Sequence, residues 1–223
     1  MTKNHTQLFS WDTIEQIFLD LDGTLLDKHY DDYFWEYHVP EMYSQKMGVS
    51  PDTCRALLLA TYKSVESTLQ WTDLDYWSDR LNLDIAALKE EVSHLINIHP
   101  HVTDFFEHAK IRNKPLYLVT NAHPKTLAVK LGKIQIAEVF TKIICSQDVG
   151  MAKEQVEFWT RLQKIQPYDR DRTLFVDDTE KVLDSARSYG MKHLIHIAKP
   201  SSKMAPAFSL NYPSIQNFKS LIF

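Results

Sequence analysis

Four short apolar runs, each set beside a stretch of helical spacing, constrain this chain more than any other feature of its 223 residues. Pro115–Thr120, Lys142–Ser146, Thr173–Asp177 and His193–Ile197 are nearly continuous in apolar character. Strands read that way when both faces of a parallel sheet are covered. Helical spacing fills 102–112, 124–132, 153–165 and 179–189. Such alternation implies an α/β fold on a doubly wound parallel sheet. A fifth run, Ile14–Leu19, predicts another buried strand that opens into a loop at Asp20. Sheets of this kind take ligands beyond the carboxyl ends of their strands. Asp20, Thr120 and Asp177 all stand at those ends.

Between the first strand and the rest, the pattern changes. From Asp31 to about Ile98 the spacing is helical and rich in aromatics, which reads as an all-helical insert. Asp31 is a candidate N-cap for a helix through Phe34, Trp35, Val39 and Tyr43. Ser50-Pro51 predicts a helix start, with Ser capping and Pro at the first helical position. Cys54, Leu57, Leu58, Thr61 and Val65 mark its expected inner face, and shorter helices are expected at 73–81 and 84–96. The tail reads as loop over 200–213, with a closing helix over 214–223.

Composition narrows the partners. Lys+Arg 25 against Asp+Glu 29 gives a net charge of −4, the wrong sign for a nucleic acid polymer but compatible with a small phosphate ester bound by a few local cations. The two cysteines, Cys54 and Cys145, form no C-x-x-C pair and read as reduced, buried thiols of a cytoplasmic protein. Met1–Gln7 lacks the apolar centre of a signal peptide, and no stretch reaches the ~18 apolar residues of a membrane span.

Phe18-Leu19-Asp20-Leu21-Asp22-Gly23-Thr24-Leu25 carries the chemistry. Two carboxylates two residues apart at a strand end, followed by Gly, make a tight anionic loop able to hold a hard divalent cation through oxygen. One carboxylate can attack phosphorus while the second protonates the leaving oxygen. Gly23 lets the main chain turn sharply and approach a phosphoryl group. An EF-hand calcium loop is a poor match, since its Gly is sixth and a helix precedes it. A plain acidic turn is the remaining alternative.

Asp20-x-Asp22-Gly23-Thr24 after an apolar strand resembles the first signature of the haloacid-dehalogenase-like hydrolases, and three more signatures follow in that family's order. Leu118-Val119-Thr120-Asn121 resembles the second, Lys153 the third, and Phe175-Val176-Asp177-Asp178 the fourth. The resemblance implies a Rossmann-like core over 1–26 and 100–223 with a helical cap over 27–99. It also implies Mg2+ held by Asp20, the Asp22 carbonyl, Asp177 and Asp178. Asp20 is then the nucleophile and forms an aspartyl-phosphate, Asp22 is the acid and later the base, and Thr120 and Lys153 bind the phosphoryl group. Gly23, Thr24 and Asn121 are the expected substrate contacts. An Asp at position 22 resembles the phosphatase and phosphomutase branches and not the dehalogenases. Structural readings stand beside these roles. Lys153, followed by Glu154 where the family often has Pro, also reads as a solvated lysine opening a helix. Thr120, Asp177 and Asp178 also read as helix caps.

Tyr33-Phe34-Trp35, Leu74-Asp75-Tyr76-Trp77, Asn121-Ala122-His123-Pro124 and Leu127-Ala128-Val129-Lys130-Leu131 resemble the bacterial purine 5′-nucleotidases that prefer GMP and IMP. A purine nucleoside monophosphate is therefore the expected partner. A sugar-phosphate phosphatase or a phosphomutase on the same core is the alternative. Phe34, Trp35, Tyr76 and Trp77 read either as the core of the insert or as a platform for a base. His123 reads as a helix-start residue or as a contact to substrate or insert.

Overall fold

The computed structural model describes residues 8–223; the Met1–Gln7 segment read above for an apolar leader lies outside the described residues. Its centre is a six-stranded parallel sheet in the order β3-β2-β1-β4-β5-β6. The strands are β1 (Gln16–Leu19), β2 (Leu116–Thr120), β3 (Lys142–Cys145), β4 (Thr173–Asp177), β5 (His193–Ile197) and β6 (Ser214–Ile215). β1 lies between β2 and β4 because the chain builds outward from it first on one side and then on the other. That reversal leaves a crevice at the strand ends, where Asp20 follows β1 while Thr120 and Asp177 close β2 and β4.

Period-two alternation divides the strand residues between two cores. Ile17, Leu19, Leu116, Leu118, Leu174 and Val176 belong to one buried cluster. Phe18, Tyr117, Val119 and Phe175 belong to the other. Continuous apolar runs are thus explained: successive residues are buried against opposite layers.

Between Asp27 and Asn97 the chain is built of helices: α1 (His29–Tyr33), α2 (Val39–Met47), α3 (Pro51–Ser64), α4 (Leu69–Thr72), α5 (Leu74–Leu81) and α6 (Ile85–Glu91). The chain enters and leaves this insert through paired segments, with the Asp27 N–H donating to the Asn97 carbonyl at 2.9 Å and the His99 N–H to the Leu25 carbonyl at 2.9 Å. Phe34, Leu58, Tyr62, Leu74 and Trp77 of the insert share one apolar cluster with Ile17 and Leu19 of β1. The remaining helices, α7 (Val102–Ile111), α8 (Pro124–Ile134), α9 (Ser146–Val149), α10 (Val156–Ile165) and α11 (Glu180–Tyr189), accompany the sheet. No helix among the described residues is long and apolar enough to cross a membrane.

Ser50 caps α3 as expected, its hydroxyl accepting from the Thr53 N–H, and both cysteines are buried and unpaired. Several local expectations need correction. Asp31 is no N-cap: α1 begins earlier, where the Asp27 carboxylate accepts from the His29 N–H at 3.0 Å. The side chain of Asp31 turns inward to two lysines. The helical run continues through a π-helical turn at Phe34–His38 before α2. The inner face of α3 is Cys54, Leu58 and Tyr62, with Leu57 exposed, so its stripe follows a four-residue step. The helix expected over 84–96 stops at Glu91 and tightens into a 3₁₀ turn at Ser93–Leu95. α10 starts three residues after Lys153, because Lys153 is pulled into the interior. No closing helix forms over 214–223. Ser214–Ile215 extends the sheet as β6, the Ala198 N–H donating to the Ile215 carbonyl at 2.7 Å, and a 3₁₀ turn follows at Phe218–Leu221.

Phe18 is fully buried, with Tyr117 and Tyr168 edge-on at 5.6 and 4.9 Å. Phe18→Ala is expected to cost about 3–5 kcal/mol of stability, read as a lower denaturant midpoint at unchanged slope. A change below about 1 kcal/mol would contradict this packing.

Candidate active site

Four chain segments meet at the carboxyl ends of β1, β2 and β4. Asp20 follows β1 directly, its N–H donating to the Val176 carbonyl at 3.0 Å, so the sheet ladder itself fixes where the carboxylate sits. The loop then reverses within a few residues: the Gly23 N–H donates to the Leu26 carbonyl at 2.8 Å, and the Leu25 and Leu26 N–H groups both donate to the Leu21 carbonyl. Gly23 has φ +87°, and a Cβ there would lie 2.4 Å from Asp178 Oδ2 and 2.9 Å from Pro200 Cβ. Only glycine meets both demands.

Lys153 is the hub of the arrangement. Its ammonium donates to Asp20 Oδ1 at 2.5 Å, to Asp177 Oδ2 at 2.8 Å and to the Val119 carbonyl at 3.1 Å, with the whole residue 2% exposed. Asn121 Oδ1 accepts from the Lys153 N–H at 3.0 Å, and Asn121 Nδ2 donates to Glu154 at 3.0 Å. The carboxamide of Asn121 thus positions the Lys153 loop. Burial opposes the charge on Lys153, but Asp177 and Asp20 more than offset it and raise its pKa. The solvated-lysine reading is excluded.

Carboxylate oxygens of Asp20, Asp177 and Asp178 lie within 4.8 Å of one another. Three carboxylates face one ammonium, a formal excess of two negative charges. Burial pushes Asp20 up to about 6, with Lys153 pulling it down and Asp177 pushing it up again. Asp178 is raised well above the usual carboxylate range by burial, then by Asp177 and Asp20. Asp20 Oδ2 is buried and has no hydrogen-bond partner among the described residues. An all-oxygen donor set, an orphaned carboxylate oxygen and an excess charge of −2 together fit a hard divalent cation such as Mg2+. Asp178 does not cap α11; Thr179 occupies that position, and its N–H is satisfied by Asp177 Oδ1 at 2.8 Å. Thr120 is buried, its hydroxyl oxygen accepting from the Ala122 N–H at 3.0 Å, which leaves its O–H free to donate.

Asp22 is turned elsewhere. Its carboxylate accepts from Lys130 of α8 at 2.5 Å and is absent from the three-carboxylate cluster. Burial lifts it to about 6, Lys130 lowers it, and Asp31 and Asp20 raise it. Lys130 also donates to Asp31 at 2.6 Å, and Asp31 accepts from Lys89 of α6 at 3.0 Å. Sequence reading passed over Lys130, Asp31 and Lys89 as site residues. A lysine inside the apolar run Leu127-Ala128-Val129-Lys130-Leu131 was the available signal, since an unpaired lysine is almost never buried.

A cavity of 370 Å³ opens above these groups. Asp20, Asp22, Thr120, Asn121, Lys153, Asp177 and Asp178 line its sheet end, and Trp35, Leu59, Tyr62, Trp71 and Leu74 of the insert line the other. Gly23 and Thr24 do not line it: Gly23 packs on Asp178, and Thr24 is fully buried with an unpartnered hydroxyl. Among the aromatics singled out from sequence, Trp35 reaches the cavity, whereas Phe34 and Trp77 are fully buried in the core. His123 caps α8, its Nδ1 accepting from the Lys125 N–H at 3.3 Å, while Nε2 lies 3.6 Å from Asp73 of the insert.

The haloacid dehalogenase-like hydrolase family model matches residues 17–195. The GMP/IMP nucleotidase YrfG of Escherichia coli strain K12 is 34% identical over 213 residues, covering 96% of each chain, and the protein of that name from Shigella flexneri matches to the same extent. In fold, the chain is similar to the HAD phosphatase from Thermococcus onnurineus, with a TM-score of 0.78 and 21% identity over 93% of this chain and 96% of that one. It is also similar to the putative HAD-hydrolase YfnB from Bacillus subtilis, described as bound to magnesium, with a TM-score of 0.63 and 16% identity over 93% and 96%. With matching motifs, sheet order and relatives along nearly its whole length, the chain belongs to the haloacid dehalogenase-like hydrolases and is a hydrolase of phosphoric monoesters.

Proposed function

We propose that this enzyme dephosphorylates purine nucleoside 5′-monophosphates, GMP and IMP among them, through an aspartyl-phosphate formed on Asp20. The observation that carries the proposal is the Asp20 carboxylate at the sheet end of the cavity, 2.5 Å from the Lys153 ammonium and facing an aromatic-lined insert. Similarity to the GMP/IMP nucleotidase supports the choice of substrate. We place the enzyme in the cytoplasm, in keeping with its two unpaired buried cysteines.

A phosphate monoester dianion and a carboxylate nucleophile repel each other, so the site must supply positive charge. Asp20, Asp177 and Asp178, with the Asp22 carbonyl, are the groups that would hold Mg2+, and the bound ion would supply much of it. Lys153 donates to the nucleophile from the side away from solvent, and it neutralises charge as the phosphoryl group arrives. The free O–H of Thr120 is suited to one phosphoryl oxygen, whereas the Gly23, Leu25 and Leu26 N–H groups are spent on carbonyls of their own loop. Asn121 holds the Lys153 loop in place.

Asp22 serves as acid and then base. Its carboxyl, raised to about 6, is suited to carry a proton to the leaving 5′-oxygen and, once ionised, to take one from water. On this reading the helical insert, residues 27–99, acts as the cap that recognises the leaving group. Trp35, Tyr62 and Trp71 give it the flat apolar surfaces that a purine stacks on.

Asp20→Asn is expected to lower kcat by at least ~10³-fold, measured as inorganic phosphate release from GMP. Comparable release by the variant would remove Asp20 as nucleophile. In a panel of nucleotides and sugar phosphates, GMP and IMP should show the highest kcat/KM, with stoichiometric phosphate release. Equal turnover of sugar phosphates would end the nucleotidase assignment, and little release without a bisphosphate activator would point to a mutase. A hundredfold excess of Mg2+ over its Kd should stabilise the fold by about 2.7 kcal/mol. That corresponds to a Tm rise of roughly 5 °C or more, and Asp178→Asn should lose most of it.

A further inference from the structure

The buried charge chain beside Asp22 is not required by the phosphoryl chemistry, yet it is built with care. Lys130 is 0% and Lys89 1% exposed, Lys89 set among three aromatic rings and Lys130 beside one. Lys89 Nζ lies 4.2 Å from the Phe34 ring centre and 4.8 Å from that of Tyr30, and Lys130 Nζ lies 5.2 Å from Tyr30. Charges alternate along the chain Asp22, Lys130, Asp31, Lys89. Burying such ions costs several kcal/mol each, and apolar residues of similar size usually hold two layers together at least as well. A requirement beyond adhesion of the insert is therefore indicated.

That requirement lies in the position of Asp22. Asp20 and Asp31 both repel its carboxylate, and its side chain is 25% exposed toward the cavity. Lys130 is the one side-chain donor to it among the described residues, holding Oδ1 at 2.5 Å. Oδ2 then remains for the leaving oxygen. Asp31 fixes Lys130 from the opposite side at 2.6 Å and is itself fixed by Lys89, so the ammonium cannot swing toward the phosphoryl site.

We propose that Lys130 is a positioning residue for the general acid Asp22, held in register by Asp31 and Lys89 of the insert. The proposal rests on the acid role assigned to Asp22 above. Misplacing a catalytic group by about 1 Å costs on the order of 10²-fold. The loss should fall on esters whose leaving group needs a proton. A nucleoside 5′-phosphate expels an alkoxide and needs the acid, whereas 4-nitrophenyl phosphate expels a stable phenolate and does not.

The test compares kcat/KM for GMP and for 4-nitrophenyl phosphate, a quantity that stops at departure of the leaving group and excludes the later hydrolysis of the phospho-enzyme. Asp22→Asn sets the reference by raising the ratio of nitrophenyl to GMP reactivity. Lys130→Met should raise that ratio by about tenfold or more. Asp31→Asn, which keeps the side-chain shape and provides the readout should Lys130→Met fail to fold, should raise it in the same direction by less. If Asp22→Asn leaves the ratio unchanged, the acid assignment falls and the proposal with it. If Asp22→Asn raises the ratio while the foldable variants at 130 and 31 lower both esters in parallel, or neither, the acid role stands and the positioning role is overturned.

Discussion

Three carboxylates and one ammonium, packed where strands β1 and β4 end, create an electrostatic conflict around which the rest of the site is arranged. Asp20 and Asp177 are brought together by neighbouring strands whose main-chain ladder leaves them no other place. In water these charges would repel each other only weakly, but burial removes the screening and makes the crowding costly. Lys153 relieves part of that cost through its two ion pairs. The residual negative charge and the orphaned Asp20 oxygen make the site a receptor for positive charge and, through it, for a phosphate ester.

Supporting residues follow from this constraint. Lys153 must enter the interior, so its loop leaves helical geometry and α10 begins later, with Asn121 and Ser185 holding its main chain. Gly23 must be glycine because Asp178 lies where a Cβ would go. Asp22 must avoid its acidic neighbours, and it does so by facing Lys130 on α8. The insert is tied to the sheet at several points of the cavity rim: His123 near Asp73, Lys125 with Asp75, Lys181 with Glu66 at 3.3 Å, and the Asp31 bonds to Lys130. The relative placement of the two parts therefore also sets where Lys130 meets Asp22 and Asp31.

The parts of the fold that the sequence disclosed are those set by periodicity and local chemistry. Five apolar runs became five parallel strands because each is buried on both faces over most of its length, β3 only at its carboxyl end, and Ser50-Pro51 opened a helix because an N-cap needs only its own next turn. Elements that depend on distant partners were misread. β6 is two residues long and exists only because β5 offers an unpaired edge. Asp31 resembles a cap locally, but two lysines nearly 60 and 100 positions away decide its direction.

The same division holds for the site. Residue types and their order along the chain marked Asp20, Thr120, Lys153 and Asp177 as candidates for one site: three of them follow or close buried strands, where a carboxylate or hydroxyl has few other reasons to stand, and Lys153 was marked by the family resemblance. Tertiary structure alone decided which of them meet at bonding distance and that Asn121 holds a loop. It alone turned Asp22 away from the carboxylate cluster to share Lys130 with the insert. The reason is physical: charge type is a property of a residue, whereas the cost of burying that charge depends on partners that only folding supplies.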